Sequence, residues 1–342
     1  MKKLKIGIAG LGRMGMTHAK NITRYVSNVE VVAACSLEKE QLEIAQNELG
    51  IKDVYLSFEE MIDNADIDTV VIATPTIIHP EHAIYAMKAG KNVFCEKALS
   101  MSMDDEKNLE VLKVQRETGA KVQIGFNRRF DKDYRDVYEQ VRAGKLGNLE
   151  MVKITSRDPF VISHELIKRI GGLVFDFTMH DFDMARYMMG KEVKEVIVKG
   201  NTLIDKGLKE LNDVDTLVAI LEFEDGSFAV IDNSRRTTFG YDQRVEVFGE
   251  KGMLVAENVS GSNVKFYGEE GTVMKNPYPI FMDRYHNAYV KEIQMFVDTL
   301  LNGGEIQCKL EDVIKAQRIA VAAFESLQNN GRAVSVDCKI DL

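Results

Sequence analysis

The residues best suited to chemistry lie between Gly171 and Gly190, in the stretch GGLVFDFTMHDFDMARYMMG. Apolar residues recur there at helical spacing, which predicts a helix over about Leu173–Met189. Asp176 and His180 stand four apart and so share one face of one helical turn. A carboxylate that orients an imidazole makes an acid–base pair, one ring nitrogen held and the other left to exchange a proton. The same spacing also suits a capped or solvated pair, so its meaning depends on what surrounds it. Asp183, one turn further along, is read as structural. Asp176, His180 and Asp183 lack a third well-spaced histidine or cysteine, and no metal is expected.

A second chemistry stands at the N-terminus. The apolar run Lys5–Ala9 leads into Gly10, Leu11, Gly12, Arg13, Met14 and Gly15. A helical segment follows to about Ser27, then the apolar run Glu30–Cys35. Strand, glycine turn, helix and strand form the context in which G-x-G-x-x-G binds a dinucleotide. The first glycine permits a sharp turn, the second lets backbone approach a pyrophosphate, and the third packs the helix close on the strand. The helix N-terminus offers its N–H groups and dipole to the phosphates. Where an acidic residue would bind the ribose of NAD stands Ser36, which suits a ribose hydroxyl or a 2′-phosphate. No arginine is adjacent to select NADP. The expectation leans to NAD and leaves NADP open.

Strands and helices go on alternating. Thr69–Ala73 ends in Thr74, Pro75 and, four residues on, His79; Lys91–Cys95 ends in Glu96, Lys97 and Ala98. Ligands of an open parallel sheet lie at the carboxyl ends of its strands. Gly10–Gly15, Ser36, Thr74, Pro75, His79, Glu96 and Lys97 are therefore expected to converge on a cofactor crevice. A lysine there can polarise a substrate oxygen or shuttle a proton, although a lysine after a buried strand also suits a solvated loop.

After about Phe126 the pattern changes to strands with hairpin signals such as E-D-G at 224–226 and G-E-K-G at 249–252. The expected architecture is an α/β Rossmann domain over residues 1–126. An α+β domain with a large, mostly antiparallel open sheet follows over 127–342, its last helices free to pack back on the first domain. A net charge of −9 with interspersed signs argues against nucleic acid or an anionic membrane as partner. No apolar run approaches the roughly 20 residues that span a bilayer, and no secretory leader is recognised. Cys35, Cys95, Cys308 and Cys338 show no metal spacing and read as buried thiols of a cytoplasmic protein.

Four motifs carry a resemblance: G-I-A-G-L-G-R-M-G at 7–15, A-T-P-T-x-x-H at 73–79, C-E-K at 95–97 and G-G-x-x-x-D-x-x-x-H-D-x-D at 171–183. In these the chain resembles the glucose–fructose oxidoreductase / inositol dehydrogenase family of NAD(P)-dependent enzymes. F-N-R-R-F-D at 126–131, T-S-R-D-P at 155–159, V-I-D-N-S-R at 230–235 and G-Y-D-Q-R-V-E-V-F-G at 240–249 are similar to its inositol dehydrogenase branch. The resemblance implies hydride transfer between a secondary alcohol of a cyclic polyol, myo-inositol or a close isomer, and nicotinamide. It implies Lys97, Asp176 and His180 as the catalytic group, and Arg128, Asp158, Tyr241 and Tyr285 around the ring hydroxyls, a grip that Arg157 is expected to join. It also implies a homo-oligomer, a tetramer or dimer. Another sugar or pyranose as substrate, or a sensor that binds nucleotide without turnover, are the alternatives. The family usually has proline after the lysine, often behind a cis bond, and here stands Ala98. Either that bond is trans and Lys97 is re-aimed, or the fold sustains a cis bond before alanine.

Overall fold

The computed structural model describes residues 3–340. The chain forms two compact units. Of the described residues, the first comprises those up to Asn127, Ala288–Lys315 and Ile340; the second comprises Arg128–Asn287 and Ala316–Lys339.

In the first unit six strands lie parallel: β1 (Leu4–Ala9), β2 (Val29–Cys35), β3 (Asp53–Tyr55), β4 (Thr69–Ile72), β5 (Asn92–Glu96) and β6 (Val122–Gly125). Their order is β3-β2-β1-β4-β5-β6, so the direction of winding reverses between β1 and β4. β4 is buried at every residue, as a strand covered by helices on both faces must be. Short β3 carries no sequence signal of its own. The core joins Ile6, Ile8, Leu11, Ile22 and Phe94 to Ile293, Phe296 and Val297 of the late helix His286–Asn302. Burying Phe296 or Ile293 is worth about 1.5–3 kcal/mol each.

The second unit is built on seven strands: β7 (Leu149–Arg157), β8 (Val193–Asn201), β9 (Thr216–Phe223), β10 (Phe228–Ser234), β11 (Asp242–Gly249), β12 (Gly252–Ala256) and, past the hairpin β13 (Lys265–Gly268) and β14 (Gly271–Met274), β15 (Val334–Ser335). Their order is β12-β11-β7-β10-β9-β8-β15. The sheet is mixed and mostly antiparallel; β7 and β10 pair in parallel at its centre, which the hairpin signals alone did not anticipate. Burial alternates along β9 and β10, with Leu217, Ala219, Leu221, Ala229, Ile231 and Asn233 on the covered face. Asp181 of the helix Met179–Met189 bonds Ser156 of β7 and Asn233 of β10 on that face. The helix ends at Gly190 in the left-handed conformation, and Arg142 donates to its last carbonyls at Tyr187 and Met188. No described helix is long and apolar enough to cross a membrane.

Candidate active site

Backbone builds the nucleotide end. Gly10 has φ of +83°, and a Cβ there would lie 2.8 Å from the Ala73 carbonyl oxygen. A Cβ on Gly15 would lie 1.7 Å from the Gly10 oxygen, so helix Arg13–Tyr25 rests directly on the turn. Gly12 differs: a Cβ there would meet nothing within 4 Å, so no protein atom demands a glycine. An open, exposed glycine at the head of a helix with no side-chain cap and no acidic residue in its first turn fits a pyrophosphate. Leu11 is buried, Arg13 exposed and Met14 half-buried around it. Ser36 follows β2, where its hydroxyl donates to Gln41 at 2.7 Å and accepts from the Glu38 amide at 3.1 Å. Thr74 is half-buried and bonds His82; Pro75 is exposed.

The segment Glu96–Lys97–Ala98 is held from two sides. Buried His79 places one ring nitrogen 2.8 Å from the Ala98 carbonyl oxygen and the other 2.8 Å from that of Thr74, tying the ends of β4 and β5 together. Burial pushes its pKa below the usual histidine value. The Lys97–Ala98 peptide bond is cis. Lys97 itself is half-buried. Glu96 bonds the ring of buried His18 at 2.6 Å. Glu292 approaches the same two groups, and its carboxyl is pushed well above the ordinary range, by burial first and then by the charge of Glu96. The three side chains lie within 4.8 Å of one another, but the His18–Glu96 contact is shorter than the roughly 3.3 Å between two tetrahedral zinc ligands. His18 and Glu96 are hydrogen-bonded to each other at that distance, with Glu292 beside them.

Side chains build the helix that carries Asp176 and His180. Its first turn, Leu173–Thr178, is a π-turn and regular α-helix begins at Met179, which corrects the expectation of one uniform helix. The Thr178 hydroxyl donates to the Leu173 carbonyl five residues back at 3.1 Å and to Asn233 at 2.7 Å, fastening the wider turn. Gly172, with φ of +78°, makes room for Asp213, whose carboxylate accepts from the Leu173 amide at 2.9 Å. A Cβ on Gly172 would lie 2.7 Å from that carboxylate. Asp176 therefore sits in the π-turn and His180 just past it. From Phe177 to Arg186 every residue is buried except His180, which is half-buried with Nδ1 turned inward.

Two buried ion pairs fix the helix on either side of the histidine. The Asp181 carboxylate accepts from Arg128 at 2.5 Å, Ser156 at 2.6 Å and Asn233 at 2.8 Å. Asp183 accepts from two nitrogens of Arg129, at 2.8 and 2.5 Å. The N-R-R and H-D-x-D motifs thus interlock. Arg128, expected among ring hydroxyls, is occupied by Asp181 and packs against Phe177 and Tyr285. Tyr241 and Tyr285 are buried edge to face, their centroids 5.9 Å apart, and the Tyr285 hydroxyl donates to Gln243 at 3.3 Å. Arg157 bonds Asp232 and Asp242. Its parity on β7 puts it on the face opposite Ser156, and so opposite the helix. Asp158 is on the helix side, where it accepts from Arg235 at 3.1 Å. Burial pushes its carboxyl up to about 6, with Arg235 pulling against that and Asp176 adding to it.

Asp181, Asn233 and Arg235 stood in the sequence only as members of quoted motifs, with no role assigned, and Asp213 stood in none. Each gains its meaning from a partner 20 or more residues away, and no spacing announces that.

Comparison with known proteins follows the same division. A family model described as an oxidoreductase family with an NAD-binding Rossmann fold matches residues 4–126, and the GFO/IDH/MocA C-terminal domain matches residues 134–255. The chain is 36% identical over 334 residues to myo-inositol 2-dehydrogenase of Thermotoga maritima, covering 98% of this chain and 99% of that protein. It is 37% identical over 333 residues to inositol 2-dehydrogenase of Rhizobium meliloti, covering 97% and 99%. The structure of scyllo-inositol dehydrogenase from Lactobacillus casei with bound NAD(H) and scyllo-inositol matches with a TM-score of 0.91 at 32% identity, covering 98% of this chain and 99% of that one.

Proposed function

The chain belongs to the GFO/IDH/MocA family of NAD-binding oxidoreductases, and from that premise we propose that it is an inositol 2-dehydrogenase, oxidising a secondary alcohol of myo-inositol or a close isomer to the keto-inositol. NAD, when bound, accepts the hydride from the carbinol carbon. Gly10, Gly12 and Gly15, with the N-terminus of helix Arg13–Tyr25, are the groups that would hold its pyrophosphate.

His180 is assigned the hydroxyl proton, taken at the ring nitrogen that is not turned inward. Asp176 supports the imidazolium that results. Lys97 is assigned, from the family resemblance, to hydrogen-bond the reacting oxygen and stabilise its developing negative charge. Asp158 is the candidate acceptor for a ring hydroxyl, with Arg128, Tyr241 and Tyr285 forming a packed block behind it. Arg157 is left out of this set because it faces away from the helix. The observation that carries the reading is the burial pattern: one histidine stays accessible on a helix otherwise buried from Phe177 to Arg186. The test is nicotinamide absorbance with NAD and, in turn, myo-inositol, scyllo-inositol and D-glucose. Turnover of an inositol supports the reading; turnover of glucose alone moves the substrate to a pyranose. NAD binding without any turnover leaves a sensor.

The oligomer is part of the same proposal. On the face of the second sheet away from the helix, Phe228, Met151, Phe248 and Met253 stand side by side in register across β10, β7, β11 and β12. They are 39–51% exposed. A continuous apolar row on a sheet face calls for a cover, and a second copy of the chain supplies one by symmetry. Met151→Glu with Phe248→Glu is expected to lower the mass measured by light scattering. The four cysteines are buried thiols, which fits a cytoplasmic site of action.

A further inference from the structure

One guanidinium serves more than one acid beside His180. Arg235 is 2% exposed, and its Nη1 donates to Asp158 Oδ2 at 3.1 Å while its Nη2 lies 3.8 Å from Asp176 Oδ2. Its backbone amide donates to the Asp215 carbonyl at 2.8 Å, and its guanidinium packs over the Phe177 ring at 5.4 Å, so it is not free to choose one acid by moving. Arg128 also acts on Asp158, but its own carboxylate partner is Asp181. Asp213, at the head of the π-turn, feels both Arg235 and Asp176, and burial pushes its carboxyl up. The Arg235 guanidinium therefore faces both Asp158 and Asp176 directly and Asp213 at longer range. Two carboxylates near one cation in a buried setting titrate as a unit, and the cation offsets only one of their charges.

We propose that Arg235 is a positioning residue that couples Asp158 to Asp176, so that the protonation of this pair decides whether His180 has a carboxylate partner. This goes beyond the proposed function and rests on its assignment of Asp176 and His180. As pH falls Asp158 takes up the first proton of the pair, and Asp176, once protonated in its turn, ceases to support the imidazolium. At higher pH Asp176 is ionised and Arg235 keeps it so. The acid limb of the pH–rate profile then belongs to the Asp158–Asp176 pair as well as to the imidazole.

Two substitutions move that limb in opposite directions, which a merely structural residue would not do. Asp158→Asn removes a neighbouring acid without changing shape and shifts the limb of kcat/KM for myo-inositol toward lower pH, by about one unit. Arg235→Met removes the cation and shifts it toward higher pH by a similar amount, while Arg235→Lys restores most of the wild-type position. Should Arg235→Met fail to fold, the Lys and Asn variants still give the two signs. Stability gives an arm that needs no substrate. A carboxyl raised from 3.8 to about 6 binds more protons folded than unfolded, so its contribution is full below about 4 and is lost as pH rises to about 6. The stability difference between wild type and Asp158→Asn should therefore fall across that window. A flat difference, or limbs that stay put or move the same way in both variants, overturns the proposal. Lack of turnover in the wild type with the sloping stability difference intact would instead sink the proposed function and leave the pair standing.

Discussion

The glycine turn after β1 and the helix that carries His180 are both rigid, and they are rigid for different reasons. The turn is made of backbone: Gly10 against Ala73, Gly15 against Gly10, and a helix resting on both. The helix is held by side chains from distant parts of the chain, Arg128, Arg129, Ser156, Asp213 and Asn233. A site made of backbone is specified within a few consecutive residues. A site made of side-chain pairs is specified by residues that only the fold brings together. The two should therefore break differently.

The largest expected effect is on the side-chain side. Asp181→Ala leaves Arg128 buried without its carboxylate, which costs about 3–5 kcal/mol. Urea unfolding should show it, and a loss under about 1 kcal/mol would mean that the pair does not fix the helix. Gly15→Ala comes next. A methyl 1.7 Å from the Gly10 oxygen forces the helix off the turn, at a cost near the upper end of the roughly 1–3 kcal/mol of overpacking. Gly12→Ala sharpens the contrast between two glycines of one motif. Its methyl meets no protein atom, so stability should hold to within about 0.5 kcal/mol. The Kd for NAD, read by tryptophan-free calorimetric titration, should still rise about tenfold, or about 1.4 kcal/mol, because the methyl occupies the approach of the pyrophosphate. Unchanged affinity would move the nucleotide elsewhere. The smallest effect is expected where neither device operates. Lys194→Ala removes an exposed pair with Glu222 on the second sheet and should leave the urea midpoint where it is in wild type.

The same contrast explains what could be read from the sequence. The strand–glycine–helix start, the alternation through Phe126 and the hairpin turns of the second half are local signals, and the structure follows them closely. Asp176 and His180 were visible because their spacing is local too. The π-turn beneath Asp176 was not, since it depends on Thr178 and Asp213 contacts that no helical period encodes. Arg128 drew notice in the sequence as a grip on ring hydroxyls through the resemblance; its pairing with Asp181, 53 residues away, was not legible there. Arg157 shows how one residue of strand parity decides a side chain's face. Arg235 was part of a quoted motif and still went unremarked, because its value lies in standing between Asp158 and Asp176.

The central claim is that His180 moves the proton while the glycine turn holds the nucleotide, and one comparison tests it directly. Wild type and His180→Ala are compared for NAD-dependent oxidation of myo-inositol and, in parallel, for NAD affinity. The account predicts a kcat lower by about 10²–10⁴ in the variant, with a Kd for NAD within about twofold of wild type. A variant that turns over inositol at close to the wild-type rate would contradict it.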